Sequence, residues 1–107
     1  MLRMRLERKG YEVVIVRDGL EGLQAIKTVS PDIVLLDVGL PSMDGYQVAK
    51  ESKSDPEIAH IPIIMLTANA LSEDREKAIR AGADDYEPKP VIMENLLKKI
   101  EALTHRS

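Results

Sequence analysis

Apolar and polar residues follow two different spacings along the chain, and the alternation between these spacings predicts strands and helices in turn. Short runs rich in β-branched residues are typical of strands, and they lie at 11–16, 33–36 and 61–66. Apolar residues three or four positions apart predict helices, which lie at 1–9, from 18 to before 31, at 46–53, between 72 and 82, and at about 93–103. A fourth strand at 85–87 must be short, because Pro88 follows it.

Residues with special backbone preferences mark the ends of these elements. Asp18 and Ser72 are good N-cap residues, because their side chains accept hydrogen bonds from free amides in the first helical turn. Gly10 and Gly82 are placed to end the helices that precede them. The Asp-Pro pair at 55–56 predicts a turn. The predicted helices and strands are therefore separated by short connections.

The run at 33–36 is continuously apolar, which is typical of a strand covered on both faces. Strands that alternate with helices at this spacing favour βαβ crossovers, and these give a parallel sheet with helices on both faces. We therefore predict one α/β domain over residues 1–107.

Composition narrows the class of protein further. The chain is 44% hydrophobic and 31% charged, the balance of a globular domain, and no stretch approaches the roughly 20 apolar residues of a membrane span. It has no cysteine, so we expect a reducing, cytoplasmic compartment. A net charge of -3 argues against nucleic acid as a direct partner. We predict neither a nucleic-acid partner nor a membrane partner.

Three chemically useful side chains follow the predicted strands. Asp37 ends the first buried run, Thr67 follows the second, and Lys89 lies just after the short fourth strand. Each has an ordinary explanation on its own, as a turn residue, an N-cap or a surface lysine. However, the carboxyl ends of parallel strands meet at one edge of the sheet, which is where α/β proteins bind their ligands. The three together therefore indicate a site.

This set of groups suits the acceptance of a phosphoryl group. Asp37 can attack phosphorus and carry an acyl phosphate. Lys89 would supply a cation and Thr67 a hydroxyl donor for the negatively charged outer oxygens. The main-chain carbonyl of Gly39 would suit a hard divalent ion that prefers oxygen ligands.

Four motifs resemble those of a response-regulator receiver domain, in the same order along the chain. They are D-x-x-L-P-x-M-D-G at 37–45, L-T-A at 66–68, A-G-A-x-D-Y at 81–86 and K-P at 89–90. The resemblance runs from residue 1 to about residue 103. It implies a flavodoxin-like, doubly wound parallel sheet with strand order 2-1-3-4-5.

The resemblance also implies roles for individual residues. Asp37 would be the phosphoacceptor, and with the Gly39 carbonyl it would bind Mg²⁺. Thr67 and Lys89 would bind the phosphoryl group, and Thr67 with Tyr86 would form a conformational switch. Lys89 would precede Pro90 through a cis peptide bond. Tyr86 has an equally good interpretation as a half-buried strand aromatic.

The family's partners follow from the same resemblance. A histidine kinase or phosphotransfer protein would supply the phosphoryl group, and a downstream protein or output domain would respond to it. The domain would be a signalling module rather than an enzyme, with self-catalysed phosphoryl transfer and hydrolysis at most.

The family's first strand, which ends in the acidic pair that holds magnesium, has no counterpart in this chain, which begins inside the following helix. We therefore expect an N-terminally truncated receiver with weak magnesium binding and slow phosphorylation. The strands at 11–16 and 32–36 could then pair directly, or two copies could associate as an edge-paired homodimer. Ser52 stands at a helix position that is usually apolar, which should loosen that helix.

Two other functions are compatible with these residues. One is a phosphorylation-independent interaction module with a degenerate site, which would bind its partner near 77–86. The other is a small phosphatase with an aspartyl nucleophile. Such enzymes usually carry a general acid two residues after the nucleophile, where this chain has Gly39, so the phosphatase is disfavoured.

Overall fold

The computed structural model describes residues 2–16, 19–37, 45–67 and 72–104. Its helices are α1 Leu2–Arg8, α2 Gly19–Val29, α3 Gly45–Ser54, α4 Ser72–Arg80 and α5 Met93–Thr104. Its strands are β1 Val13–Val16, β2 Ile33–Asp37, β3 Ile63–Thr67 and β4 Asp85–Pro88. Each element that the sequence pattern predicts is present, with small differences at the ends.

The strand predicted from residue 11 begins two residues later, because the preceding backbone closes α1 instead. The amide of Gly10 donates to the carbonyl of Glu7 at 2.9 Å, and the amide of Tyr11 donates to the carbonyl of Leu6 at 3.2 Å. Gly10 has φ 89°, a left-handed conformation that glycine adopts without steric cost. The first residues of the apolar run therefore belong to the C-terminal cap of the helix.

The strand predicted from residue 61 also begins two residues later, at Ile63. The amide of Ile61 donates to the carbonyl of Ile58 at 3.0 Å, so Ile61 belongs to the preceding turn. Pro62 has no amide hydrogen, and its carbonyl accepts the amide of Val34 at 3.0 Å. Proline therefore sits where the neighbouring strand needs only an acceptor.

The four strands of the described residues form one parallel sheet in the order β1-β2-β3-β4. β1 pairs directly with β2, in a register that sets Val13 opposite Ile33 and Val16 opposite Leu36. Of the arrangements that the sequence left open, the structure shows the direct pairing of the strands predicted at 11–16 and 32–36. Among the described residues this is the order 2-1-3-4-5 without its first strand.

Helices cover both faces of the sheet, as predicted. α1 and α5 pack on one face through Leu6, Leu96 and Ile100. α2, α3 and α4 pack on the other face, and their contacts include Ile26 and Ala78. Alternate side chains of each strand point to opposite faces, so the apolar runs of β2 and β3 fill both layers of the core.

The predicted turn after α3 begins at Asp55 and is confirmed. Its Oδ1 accepts the amide of Glu57 at 3.0 Å, and its carbonyl accepts the amides of Ile58 and Ala59 at 3.1 and 2.8 Å. The bond from the Glu57 amide holds the pKa of the Asp55 carboxyl below its usual value, and an ion pair with Lys27 at 3.3 Å acts in the same direction. The ion pair therefore links the turn after α3 to α2.

Lys53 ties α3 to the amino end of β3. Its ammonium donates to the carbonyls of Ala59 at 3.2 Å and Ile61 at 3.0 Å, and to Asp84 Oδ2 at 2.9 Å. The same Asp84 oxygen accepts the amide of Ile63 at 2.9 Å. Asp84 therefore forms the polar corner before β4, and one lysine satisfies three acceptors there.

Replacing Lys53 should destabilise this end of the sheet. We expect Lys53→Met to lower the free energy of unfolding by about 2 kcal/mol, because three acceptors lose a charged donor. Chemical denaturation followed by circular dichroism measures the change. Lys50→Met, at an exposed position of the same helix, is the matched control and should change stability by less than about 0.5 kcal/mol. Equal losses in both variants would contradict this assignment.

Ser52 carries an unsatisfied buried hydroxyl. Its side chain is 1% exposed, and its Oγ has no hydrogen-bond partner among the described residues. We expect Ser52→Ala to raise the free energy of unfolding by about 1 kcal/mol, because it removes this group and adds helix propensity. Ser54→Ala is the control: the Ser54 hydroxyl is exposed and donates to the carbonyl of Lys50 at 2.8 Å. Loss of stability in Ser52→Ala would show that the hydroxyl has a partner in solution.

Candidate functional site

The carboxyl ends of the strands bring the predicted site residues to one edge of the sheet. Asp37 is the last residue of β2 and pairs in register with Leu66, the residue before Thr67. Thr67 is the last residue of β3 and pairs with Pro88 at the end of β4. Lys89 follows Pro88 directly. The parallel register therefore places the three predicted groups next to one another.

Asp37 and Lys89 form an ion pair across this edge. The Nζ of Lys89 lies 2.5 Å from Oδ1 of Asp37. The side chains are 32% exposed at Asp37 and 41% exposed at Lys89, so the pair lies where an incoming ligand can reach it. A charge-assisted hydrogen bond of this kind orients both groups. The carboxylate and the cation of the predicted phosphoryl site are therefore in contact.

Thr67 fixes the backbone from which Lys89 extends. The amide of Lys89 donates to the carbonyl of Thr67 at 2.7 Å. Thr67 is 1% exposed, so its side chain lies in the interior rather than in solvent. The peptide bond between Lys89 and Pro90 is cis, as the resemblance predicts.

Tyr86 lies in the middle of β4 and is half-buried. Its ring packs against the core between the sheet and α2, α3 and α4. Two cations lie close to the ring centroid: the guanidinium carbon of Arg75 at 6.0 Å and Nζ of Lys99 at 5.2 Å. This position is compatible both with a switch and with an ordinary strand aromatic, so the switch role stays a prediction.

The predicted magnesium site extends beyond the described residues. Gly39, the second predicted ligand, lies outside them. Within the described ranges, no group of three or more His, Cys, Asp or Glu side chains is placed to hold a metal ion. Mg²⁺ needs near-octahedral oxygen coordination, and Asp37 offers one carboxylate that is already paired with Lys89. The described residues alone therefore do not make up a magnesium site.

A buried ion pair that was not predicted from the sequence lies near the site. Glu87 is 2% exposed, and its Oε1 accepts from Nζ of Lys99 at 2.7 Å. The sequence did carry a signal: strand alternation places Glu87 on the face opposite Tyr86, towards α5. Lys99 lies three residues after Leu96 and so on the buried side of that helix. A charged residue on each of two packed surfaces indicates a pair.

No helix within the described residues is long and apolar enough to cross a membrane.

Comparison with known proteins identifies the family. The family model described as the response regulator receiver domain matches residues 1–101. The response regulator MprA of Mycobacterium sp. strain KMS is 41% identical over 106 residues, which cover 99% of this chain and 45% of the relative. The DNA-binding dual master transcriptional regulator RpaA of Synechocystis sp. is 36% identical over 107 residues, 100% of this chain and 44% of the relative. The chain thus spans less than half the length of these curated relatives.

Solved structures agree with the family model. A putative response regulator from Chloroflexus aurantiacus superposes with a TM-score of 0.89 at 36% identity, covering 99% of this chain and 87% of that chain. The receiver domain of sensor histidine kinase PA1611 from Pseudomonas aeruginosa, which has a magnesium ion coordinated in its active-site cleft, gives a TM-score of 0.83 at 33% identity, with 98% and 86% covered. The flavodoxin-like fold and the resemblance are both confirmed. This chain belongs to the response-regulator receiver-domain family.

Proposed function

We propose that this chain accepts a phosphoryl group on Asp37 within a two-component relay, from a histidine kinase or phosphotransfer protein. The observation that carries the proposal is the ion pair between Asp37 and Lys89 at the carboxyl edge of the sheet. In a member of the receiver family, this is a carboxylate at a strand end with a cation fixed beside it. The proposal makes the chain a signalling module, not an enzyme with turnover of a separate substrate.

The transfer proceeds by in-line attack on phosphorus. An Asp37 oxygen supplies an electron pair to the phosphorus of a phosphohistidine, and an acyl phosphate forms. The bond between phosphorus and the imidazole nitrogen breaks, its electron pair stays on that nitrogen, and the imidazole leaves as a neutral ring that has taken a proton from solvent. Charge on the equatorial oxygens is stabilised by the ammonium of Lys89, 2.5 Å from Asp37 before the reaction. The Thr67 hydroxyl then donates a hydrogen bond to the new phosphoryl group.

The response to phosphorylation would involve Thr67 and Tyr86. Met65 and Thr67 of β3 pair with Tyr86 and Pro88 of β4, so movement at Thr67 is passed to the strand that carries the ring. Rotation of the ring changes the surface around α4 and β4. This supports the proposal that a downstream protein or output domain reads that surface.

Magnesium would be a weak ligand of this chain. We propose Asp37 and the Gly39 carbonyl as its protein ligands, with most of the remaining positions filled by water. When bound, the ion would supply positive charge next to the acceptor carboxylate. Because Lys89 already holds that carboxylate, an ion must compete with it.

The other proposals concern the setting of the domain. We propose a cytoplasmic location, and protein partners rather than nucleic acid for this domain itself, since its net charge is -3. RpaA, described as DNA-binding, is more than twice as long as the matched segment. A homodimer paired through an outer strand edge is a further proposal, and β1 is an edge strand of the described sheet.

Incubation with phosphoramidate should label Asp37 slowly. We expect intact-mass spectrometry to show the addition of one phosphoryl group in the wild type and none in Asp37→Asn. Asp55→Asn, which alters a carboxylate in the turn after α3, is the control and should label like the wild type.

Magnesium should accelerate this labelling only modestly, because few protein ligands are available to the ion. Rapid labelling that saturates at submillimolar magnesium would contradict the weak-binding proposal. Absence of labelling under all conditions, with partner binding unaffected in Asp37→Asn, would favour the phosphorylation-independent interaction module.

Lys89→Met should slow labelling by about a hundredfold, because one preorganised cation is lost at the developing charge. A single-exponential fit to the time course of the labelled fraction, measured by intact mass, gives the labelling rate. Lys98→Met, an exposed lysine of α5, is the control and should leave the rate unchanged. An unchanged rate in Lys89→Met would remove Lys89 from the mechanism.

A further inference from the structure

We propose that Lys99 is a positioning residue for Tyr86: its ammonium connects α5 to β4 and sets the resting position of the ring. This inference rests on the proposed function, because Tyr86 acquires its importance there as one half of the switch. It adds a residue from α5 that none of the predicted roles includes.

The contacts of Lys99 converge on Tyr86. Its Nζ donates to the main-chain carbonyl of Tyr86 at 2.5 Å and to Oε1 of Glu87 at 2.7 Å. The same nitrogen lies 5.2 Å from the centroid of the Tyr86 ring. One ammonium therefore contacts the backbone of the switch residue, its side chain and its neighbour in sequence.

The buried partner keeps Lys99 in this place. Glu87 is 2% exposed, whereas the Lys99 side chain is 25% exposed. A carboxylate with so little access to water is stabilised by its ion-pair partner, which offsets part of the lost hydration. The pair therefore holds the ammonium beside Tyr86 instead of letting it extend into solvent.

The position of the ring is set from two helices. The guanidinium carbon of Arg75 lies 6.0 Å from the ring centroid. Arg75 belongs to α4, which precedes β4 in the chain, and Lys99 belongs to α5, which follows β4. Each cation is attracted to the face of an aromatic ring, and the attraction falls as the ring moves away. Movement of the Tyr86 ring therefore changes the contacts of α5 as well as those of α4.

β4 connects this arrangement to the site. Glu87 lies between Tyr86 and Pro88, and Pro88 pairs with Thr67 at the edge that carries Asp37. Lys99 thus acts on the strand whose end delivers Lys89 to the carboxylate. A displacement of β4 at the site is opposed by the link to α5.

Fluorine NMR can test this assignment, because the chain has three tyrosines and no phenylalanine or tryptophan. The full chain is labelled with meta-fluorotyrosine, and the signals of Tyr11, Tyr46 and Tyr86 are assigned with Tyr→Phe variants. The key variant is Glu87→Leu with Lys99→Met, which removes both charges together and leaves no unpaired buried carboxylate. Lys98→Met is the control, and Lys99→Arg tests rescue.

Without phosphodonor, we expect the Tyr86 signal of the double variant to broaden and to shift towards its position in the phosphoramidate-treated wild type. The signals of Tyr11 and Tyr46 should not move. In Lys99→Arg, which keeps a cation opposite Glu87, the Tyr86 signal should match that of the wild type. Glu87→Leu alone removes the carboxylate that holds the ammonium beside Tyr86, so its Tyr86 signal should shift in the same direction as that of the double variant.

Two results would overturn the assignment. One is a Tyr86 signal in the double variant that matches the wild type. The other is a Tyr86 signal in Lys99→Arg that matches the double variant, since a cation paired with Glu87 would then not set the position of the ring. If phosphoramidate leaves the wild-type Tyr86 signal unmoved, the proposed switch fails. The role of Lys99 is still decided by comparing the untreated double variant, whose Tyr86 signal should be broad, with Lys99→Arg, whose Tyr86 signal should be like that of the wild type.

Discussion

The buried backbone of β2 is the constraint on which the rest of the structure depends. Residues Ile33–Leu36 are fully buried, so their amides and carbonyls must find partners within the protein. β1 on one side and β3 on the other supply them in parallel register. Because the strands are parallel, their carboxyl ends lie at the same edge of the sheet, and the register places Asp37 beside the end of β3. Satisfying the backbone of the core thus assembles the functional edge.

The sequence predicted this edge because two sequence features are enough to locate it. Apolar runs locate the strands, and alternation with helices makes the sheet parallel, so Asp37, Thr67 and Lys89 must share one side. The contact between Asp37 and Lys89 and the bond from the Lys89 amide to Thr67 agree with that expectation. The direct pairing of β1 with β2 was one of several possibilities at the sequence level. Only the three-dimensional arrangement selects it, because it depends on which strand edges lie within reach.

Features that depend on packing between distant elements were less accessible. Glu87 and Lys99 each lie on the buried side of a packed element, but the sequence does not show that these two groups meet. The sequence pattern indicates a surface lysine at position 53, yet this side chain donates to acceptors in two separate segments between helices and strands. In both cases the charge is explained by a partner more than five residues away. Periodicity reports which face of an element is buried but not which group it meets.

The position of Lys89 has a consequence for how the site handles charge. Its ammonium is paired with the Asp37 carboxylate in this structure, and the proposed phosphorylation would increase the negative charge at the same point. The attraction between the two residues would therefore grow during the proposed reaction, while the bond from the Lys89 amide to Thr67 keeps the backbone in place. A cation that needs no rearrangement stabilises the transition state more effectively than one that must be drawn in. The edge is thus preorganised for an anion by its own side chains, before any metal ion contributes.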